Sequence, residues 1–436
     1  MLRRFNSKPK FGPRPKSHYF VLSLNVFVVT LMLFSGFGML WVNGRVNQRL
    51  IVTLNNSQEN PNDKSQGSND SPGNADLPLD PKSLDAKNFL LTGSDNGSCA
   101  DAKSSTTGGI GDRTSLGERS DTIMIIRIDP SSKRAAILSF PRDLWVNIAG
   151  TTRQNRINSA FKSTDPNRLV ETIEKSFGIP VDHYVNVNFC AFKEIVTAVD
   201  GVKVPFLYPT RDKKTGFSVS EPGCVNFDGD RALAYVRSRS GYRYFDTTTQ
   251  KWIEDPTGDL GRISRQQDFL RRSMQRALDK GSSNIAVAND LLNAALKNVI
   301  TDDQLTPRGM LDLAQAMRDL NTRTVATYTI DSYPKRIGEL SVLIPLIKTE
   351  SMKQVLAIFQ GRAPLTAQKA SIRTINNPTV ILVAQRIAIA TTTTLAMPET
   401  TAKSATPTTI PTTTIPTATA LQKTVGVVPP DDPTCR

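Results

Sequence analysis

Arg237-Ser-Arg239 and, a little further on, Gly258-Asp259-Leu260-Gly261-Arg262-Ile263-Ser264-Arg265-Gln266-Gln267 gather arginines, a carboxylate and amides into one short reach of chain. Arg237 and Arg239 close an apolar run, Ala232-Leu233-Ala234-Tyr235-Val236. Read as a strand, that run puts residues i and i+2 on one face, so both guanidiniums converge on one anion. Arg262, Arg265 and Gln266 are spaced i, i+3, i+4, which is one face of a helix. The planar fork of arginine grips phosphoryl oxygens bidentately, so this many fixed guanidiniums suit a diphosphate. Taken alone, the Arg237/Arg239 pair also reads as a solvated face or as ion-pair partners. Asp259 stands where it could be only a helix N-cap.

Other reactive constellations lack material. With only His18 and His183, neither a histidine metal cage nor a Ser-His-Asp triad can be assembled. Cys99, Cys190, Cys224 and Cys435 fall at no zinc-finger spacing. No GxxxxGK[ST] is present, so nucleotide hydrolysis has no support, and Gly108-Gly109-Ile110-Gly111 follows no dinucleotide pattern. The net charge of +14 would suit nucleic acid. The basic residues fall on different elements, however, and no helix-turn-helix or zinc module accompanies them, so no nucleic-acid partner is expected.

The 436 residues are ample for one sizeable core with appendages. Residues 1–18 form a basic tail, with Arg3, Arg4, Lys8, Lys10, Arg14 and Lys16 and no acid. Residues 19–42 carry no charge and, as a helix, would be roughly 36 Å long, enough to span a bilayer. Trp41 lies at the far end, where an interfacial aromatic is expected, and the basic flank predicts a cytoplasmic N-terminus with the remainder outside. A cleaved signal peptide is the alternative, but the run is long for one and no small-x-small site follows it. Residues 43–85, rich in Asn, Ser, Asp, Gly and Pro, read as a flexible spacer.

The body is expected over residues 86–362. Strands are predicted near 86–91, 121–128, 135–140, 184–189 and 324–330. Helices are predicted over 168–177, 192–199, 262–278, 286–299 and 308–320, with another amphipathic stretch at 343–359. This alternation argues for a single α-β-α layered domain around a central mixed sheet, preceded by one transmembrane helix. Residues 363–436 are rich in Thr, Pro and Ala and are predicted to be a disordered tail. Outside the cell, Cys99 and Cys224, both in loop stretches, can form a disulfide; two unpaired loop thiols are the alternative. Cys190, inside Val187-Asn-Phe-Cys-Ala-Phe192, reads as a buried thiol.

Five stretches together resemble the LytR-CpsA-Psr family of cell-envelope glycopolymer transferases. They are Asn88-Phe-Leu-Leu-Thr-Gly-Ser-Asp95, Arg119-Ser-Asp-Thr122, Ser139-Phe-Pro-Arg-Asp143, Arg156-Ile-Asn-Ser-Ala-Phe161 and the Arg237 to Gln267 region. They run in the family's order, and the match covers about residues 86–280, more loosely to about 360. The stretch from Asp95 to Arg119, which holds Cys99, is longer than in the simplest members and resembles the insertion of actinobacterial ones, where a disulfide is plausible.

The resemblance implies that Asp95 and Asp121 hold magnesium or manganese. It implies that Arg119, Arg142, Arg237, Arg239, Arg262 and Gln266 grip the diphosphate of a polyprenyl-linked substrate. Arg156 falls where a basic residue is usual, Arg265 joins the binding set, and Asp259 stands beside the arginines. Magnesium prefers one or two carboxylates with phosphate oxygens and water, which two aspartates at adjacent strand ends suit. Separately, Asp95 reads as a turn residue, Asp121 as a strand entry and Arg142-Asp143 as a surface ion pair. The implied activity is that of a membrane-anchored phosphotransferase moving a glycopolymer from a polyprenyl diphosphate onto a peptidoglycan sugar hydroxyl, with the base among Asp95, Asp121 and Asp259 left open. A protein that binds such a carrier without turnover and a transcriptional attenuator are the rivals. The lipid should lie in an apolar tunnel lined by the helices at 169–177, 192–199 and 263–278, unless those faces pack an ordinary core.

Overall fold

The computed structural model describes residues 50–55, 85–95, 119–283, 299–365 and 427–435, together with 291 and 293. The expected cytoplasmic tail and membrane span lie outside the described residues. Among those described, no helix is long and apolar enough to cross a membrane.

Seven strands make the central sheet: β1 (Leu50–Val52), β2 (Lys87–Ser94), β3 (Ser120–Asp129), β4 (Arg134–Ser139), β5 (His183–Asn188), β6 (Val299–Asp302) and β7 (Ala326–Thr329). Their spatial order is β1-β6-β5-β2-β3-β4-β7. β2 runs parallel to β5 and antiparallel to β3, and β4 is antiparallel to β3 and parallel to β7. The sheet is therefore mixed, as expected. Six α-helices are described: α1 (Asn167–Phe177), α2 (Phe189–Ala198), α3 (Gly229–Arg237), α4 (Asp259–Ser283), α5 (Pro307–Ala316) and α6 (Glu350–Phe359).

The strands read as nearly continuous apolar runs because helices cover both faces. Leu90, Ile123, Ile125 and Leu138 face Leu169, Ile173 and Phe177 of α1 and Leu356 and Phe359 of α6 in one dense cluster. On the opposite face, Met124, Ala135 and Ile137 lie under Leu270, Met274 and Leu278 of α4 and Leu313 of α5. A separate aromatic cluster joins Phe206, Phe217, Phe227, Tyr235, Tyr242 and Phe269 around α3.

Four expectations change. Leu50–Val52, inside the stretch read as a spacer, is an edge strand parallel to β6, because Leu-Ile-Val can bury Val52 and Leu54 in the core. The amphipathic stretch at 343–359 divides into a strand, Leu340–Pro345, and α6. The end of the Thr/Pro-rich tail does not trail free: residues 427–435 dock on the body, while 366–426 lie outside the described residues. Finally, Cys224 pairs with Cys435 rather than with Cys99, because the docked terminus brings Cys435 to the strand Gly223–Phe227. Cys190 is buried as expected but is itself disulfide-bonded, with its partner outside the described residues.

The first residue of the Asn88–Asp95 motif is a joint of this architecture. Asn88 is fully buried and donates from Nδ2 to the carbonyls of Pro180 (2.7 Å) and Phe359 (2.8 Å), while its Oδ1 accepts from the buried Arg127 (3.1 Å). One amide thus ties β2 to β3, to the loop after α1 and to the end of α6. Asn88→Ala leaves these groups buried without partners, and chemical denaturation should show a loss of about 3 kcal/mol.

Candidate functional site

The motifs meet at one end of the sheet. β2 ends at Ser94 beside the end of β5, and β3 begins there. Register slips between Gly93 and Ser94, which face Thr122 and Ser120, so Asp121 is the unmatched residue. Such a bulge re-aims a side chain that strict pleating would bury in the ladder. Asp95 lies directly beyond β2, bound to Arg119 in both directions: its N–H donates to the Arg119 carbonyl (3.1 Å), and its Oδ1 accepts from the Arg119 N–H (2.9 Å). Arg142 follows β4, whose exit lies at the same end because β4 is antiparallel to β3.

The N-terminus of α4 completes the site. An Asx turn at Asp255, whose Oδ1 accepts from the Thr257 N–H (3.0 Å), reverses the chain before Gly258, which has φ +54°. That left-handed residue lets the helix begin at Asp259, whose carboxylate is favoured by the positive end of the helix dipole. The same turn must pass close to Asp255, and Gly261 permits this: a Cβ there would stand 2.3 Å from Thr257 Oγ1 and 2.6 Å from Asp255 Oδ2.

These side chains form a continuous alternation of charge. Arg156 Nε meets Asp143 Oδ1 (3.3 Å), and Asp143 Oδ2 meets Arg142 Nε (3.6 Å). Arg142 donates to Asp121 Oδ1, and Asp121 Oδ2 accepts from Arg262 (3.2 Å). Arg262 then meets Asp259 Oδ1 (2.8 Å), as does Arg239 Nε (3.1 Å). The Arg262 side chain is only 4% exposed and that of Asp259 12%, whereas Asp121 is 43% exposed and faces the solvent side. Neither oxygen of Asp259 has a well-formed hydrogen bond, although both cations neighbour it. Burial alone would push the Asp121 carboxyl up; the Arg262 and Arg142 guanidiniums, with Arg239 behind them, outweigh it and hold the group below the usual aspartate range.

The expected residues divide into three sets. Asp121, Arg142, Arg239, Asp259 and Arg262 come together, Asp95 and Arg119 flank Asp121, and Arg156 joins through Asp143. Arg237 stands at the same end, with its guanidinium over the Phe189 ring (5.0 Å) just past β5. It does not share a strand face with Arg239, because the run before it is α3: Ala232 to Val236 are all buried in the aromatic cluster, and the helix ends at Ser238. Arg265 is placed elsewhere. It is fully buried, and its guanidinium is taken up by Asp255 (2.6 Å), the Ser238 carbonyl (2.9 Å) and the Tyr242 ring (3.9 Å). Gln266 is half-buried and donates to the Val236 carbonyl (3.1 Å). The ion pair read in Arg142-Asp143 is present, but Asp143 also takes Arg156, a second site arginine from a separate strand, which adjacency in sequence does not show.

As a metal site, Asp95 and Asp121 supply two carboxylates from adjacent strand ends, and no group of three or more metal-ligating side chains exists among the described residues. That donor set fits only an ion that takes most of its oxygens from substrate and water, as magnesium does. The tunnel expectation changes in one part. The apolar face of α1 is absorbed into the dense cluster, so it lines no channel. Leu91, Ile126, Ile128, Leu270, Met274, Leu278 and Leu313, in contrast, remain only half-buried between sheet and helices.

A family model, the LytR_cpsA_psr family, matches residues 49–357. The chain belongs to this family. It is 32% identical over 241 residues to TagV of Bacillus subtilis, a polyisoprenyl-teichoic acid–peptidoglycan teichoic acid transferase, covering 53% of this chain and 56% of TagV. TagU of Bacillus cereus, which carries the same description, is 33% identical over 207 residues, covering 47% of this chain and 61% of that one. The chain thus matches less than two thirds of the length of either relative. A solved structure from Streptococcus agalactiae, 20% identical, has a TM-score of 0.51 over 66% of this chain and 91% of that one, a likeness of fold.

For this family member, the Asp121 pairs carry a pH signature. A carboxyl lowered on folding stabilises above its unfolded pKa, and that contribution disappears as pH falls through the folded value. The stability gap between the wild type and Asp121→Asn should therefore hold from pH 7 to about 5 and close below the ordinary aspartate range near 4. Urea titrations across that range measure it; a gap that widens on acidification would contradict the pairing.

Proposed function

We propose that this chain is a membrane-anchored phosphotransferase that moves a glycopolymer from a polyprenyl diphosphate carrier onto a sugar hydroxyl of peptidoglycan. The observation that carries the reading is the charge chain at the sheet end. Arg142, Arg156, Arg239 and Arg262 outnumber Asp121, Asp143 and Asp259, the carboxylates that link them, so the charge chain keeps a surplus of positive charge for an anion to neutralise. The names of TagV and TagU, polyisoprenyl-linked donor and peptidoglycan acceptor included, support the same reading.

The chemistry follows from charge placement. Arg142, Arg239 and Arg262, with Arg237 and Arg119 at the rim, receive the diphosphate beside the N-terminus of α4, whose positive dipole end favours anions. Attack of a sugar hydroxyl on the sugar-proximal phosphorus breaks its bond to the bridging oxygen. The fixed guanidiniums stabilise charge that develops there as polyprenyl phosphate departs. Asp121, kept ionised by its arginines, is a poor proton acceptor, and Asp259 is engaged by Arg239 and Arg262 in the same way, which leaves Asp95 to take the hydroxyl proton. Magnesium, or manganese, held by Asp95 and Asp121 would add Lewis-acid neutralisation of the phosphoryl oxygens. The half-buried apolar layer beneath α4 and α5 receives the polyprenyl chain, residues 19–42 anchor the protein, and the body works outside the membrane. The Cys224–Cys435 disulfide is in keeping with that oxidising side.

The test is release of polyprenyl phosphate from a polyprenyl diphosphate by the purified protein with magnesium. Arg239→Ala and Arg237→Ala should each lower turnover by about 10²-fold or more. Tight binding of the lipid with no release by the wild type would replace the transferase with a carrier-binding protein.

A further inference from the structure

Behind the two arginines that flank Ser238 lies a second, dry layer. Arg265 and Asp255 are both fully buried and form an ion pair of 2.6 Å. Arg265 also donates to the carbonyl of Ser238, the residue between Arg237 and Arg239, and Gln266 donates to the carbonyl of Val236. The backbone that carries both site arginines is therefore held from α4. A buried guanidinium keeps one orientation only while all its partners are in place.

One partner comes from the far end of the chain. The Val427 N–H donates to Asp255 Oδ2 (3.3 Å), and the Val427 carbonyl accepts from Arg265 (3.4 Å). Both backbone groups of one residue thus close both members of the pair. Three further contacts fix the segment. The Pro430 carbonyl accepts from Arg272 of α4 (2.8 Å), Asp431 lies 3.8 Å from Arg323, and Cys435 is bonded to Cys224.

We propose that residues 427–435 are a covalently pinned strap that positions Arg237 and Arg239, acting through the Arg265–Asp255 pair. The strap touches no phosphate; it keeps water from the pair and so fixes the carbonyl of Ser238. Its effect on turnover rests on the diphosphate reading given above, but its effect on the Ser238 backbone does not. The disulfide makes the strap conditional. With Cys224 and Cys435 unbonded, the segment keeps its contacts with Arg272 and Arg323, the two Val427 hydrogen bonds and the packing of Val427 on the aromatic cluster, but without its covalent tie it becomes a low-stability element that opens locally.

The experiment uses the full chain with two variants. Cys224→Ser/Cys435→Ser removes the pin. Val427→Pro keeps the disulfide and removes the N–H that Asp255 accepts. Hydrogen–deuterium exchange at residues 236–240 should accelerate about tenfold in either variant, with the sheet strands unchanged. Turnover of a polyprenyl diphosphate should fall on the order of 10-fold, with kcat falling more than KM rises, because the arginines that receive the diphosphate also stabilise the charge that develops on it in the transition state. Unchanged exchange at 236–240 in both variants overturns the strap. If the wild type itself shows no turnover, the transferase reading fails, and the exchange comparison still decides the strap. Should the double serine variant not fold, Val427→Pro carries the comparison alone.

Discussion

Guanidiniums repel one another, and four of them are held together at one end of a sheet here because carboxylates are set between them. At 4 Å two like charges cost about 4 kcal/mol at the effective dielectric of a protein surface. The interleaving of Asp143, Asp121 and Asp259 among Arg156, Arg142, Arg262 and Arg239 removes that cost and fixes each fork in direction. It also leaves the arrangement incomplete, since the cations remain in excess. An incoming dianion would complete the alternation with little rearrangement of the chain, which is the condition for preorganised charge stabilisation.

The fold serves this constraint at few positions. A one-residue slip in β3 turns Asp121 out of the ladder toward Arg142 and Arg262. Gly258 and Gly261 let α4 start against Asp255, so that Arg262 projects into the site one turn later. Asn88 locks β2 to three other elements and so fixes where Asp95 emerges. The remainder of the body, with its two apolar clusters on the sheet faces, could vary in detail without moving these groups.

Much of this is written in local sequence. Asp95 and Asp121 end and begin apolar runs, which places both at strand ends, and the i, i+3 spacing from Asp259 to Arg262 is a helix contact that the structure contains. What is not legible is depth. Arg262 and Arg265 share a helical face by spacing, yet one reaches the site and the other is enclosed, because Tyr242, Ser238 and Val427 come from distant segments. The five apolar residues before Arg237 fit a buried strand and a buried helix equally well by pattern, and only the surrounding aromatic cluster selects the helix. Four cysteines allow three pairings, and choosing among them needs the path of the terminus, which composition hides.

The helix α4 joins two solvents. Its first turn carries Asp259 and Arg262 into the charge chain, while Leu270, Met274 and Leu278 lie over the half-buried layer on the sheet. From Arg262 to Leu270 the axial distance is roughly 12 Å at 1.5 Å per residue. A ligand with a compact anionic head and a long apolar tail matches that gradient. A purely polar polymer would leave the layer bare, and a neutral lipid would leave the guanidiniums without a counter-charge. Half-buried aliphatic side chains cost about 25 cal/mol per Å² left wet, so the apolar tail of the proposed amphiphile, laid on this layer, would add a favourable term to its binding that neither a polar polymer nor the guanidiniums alone supply.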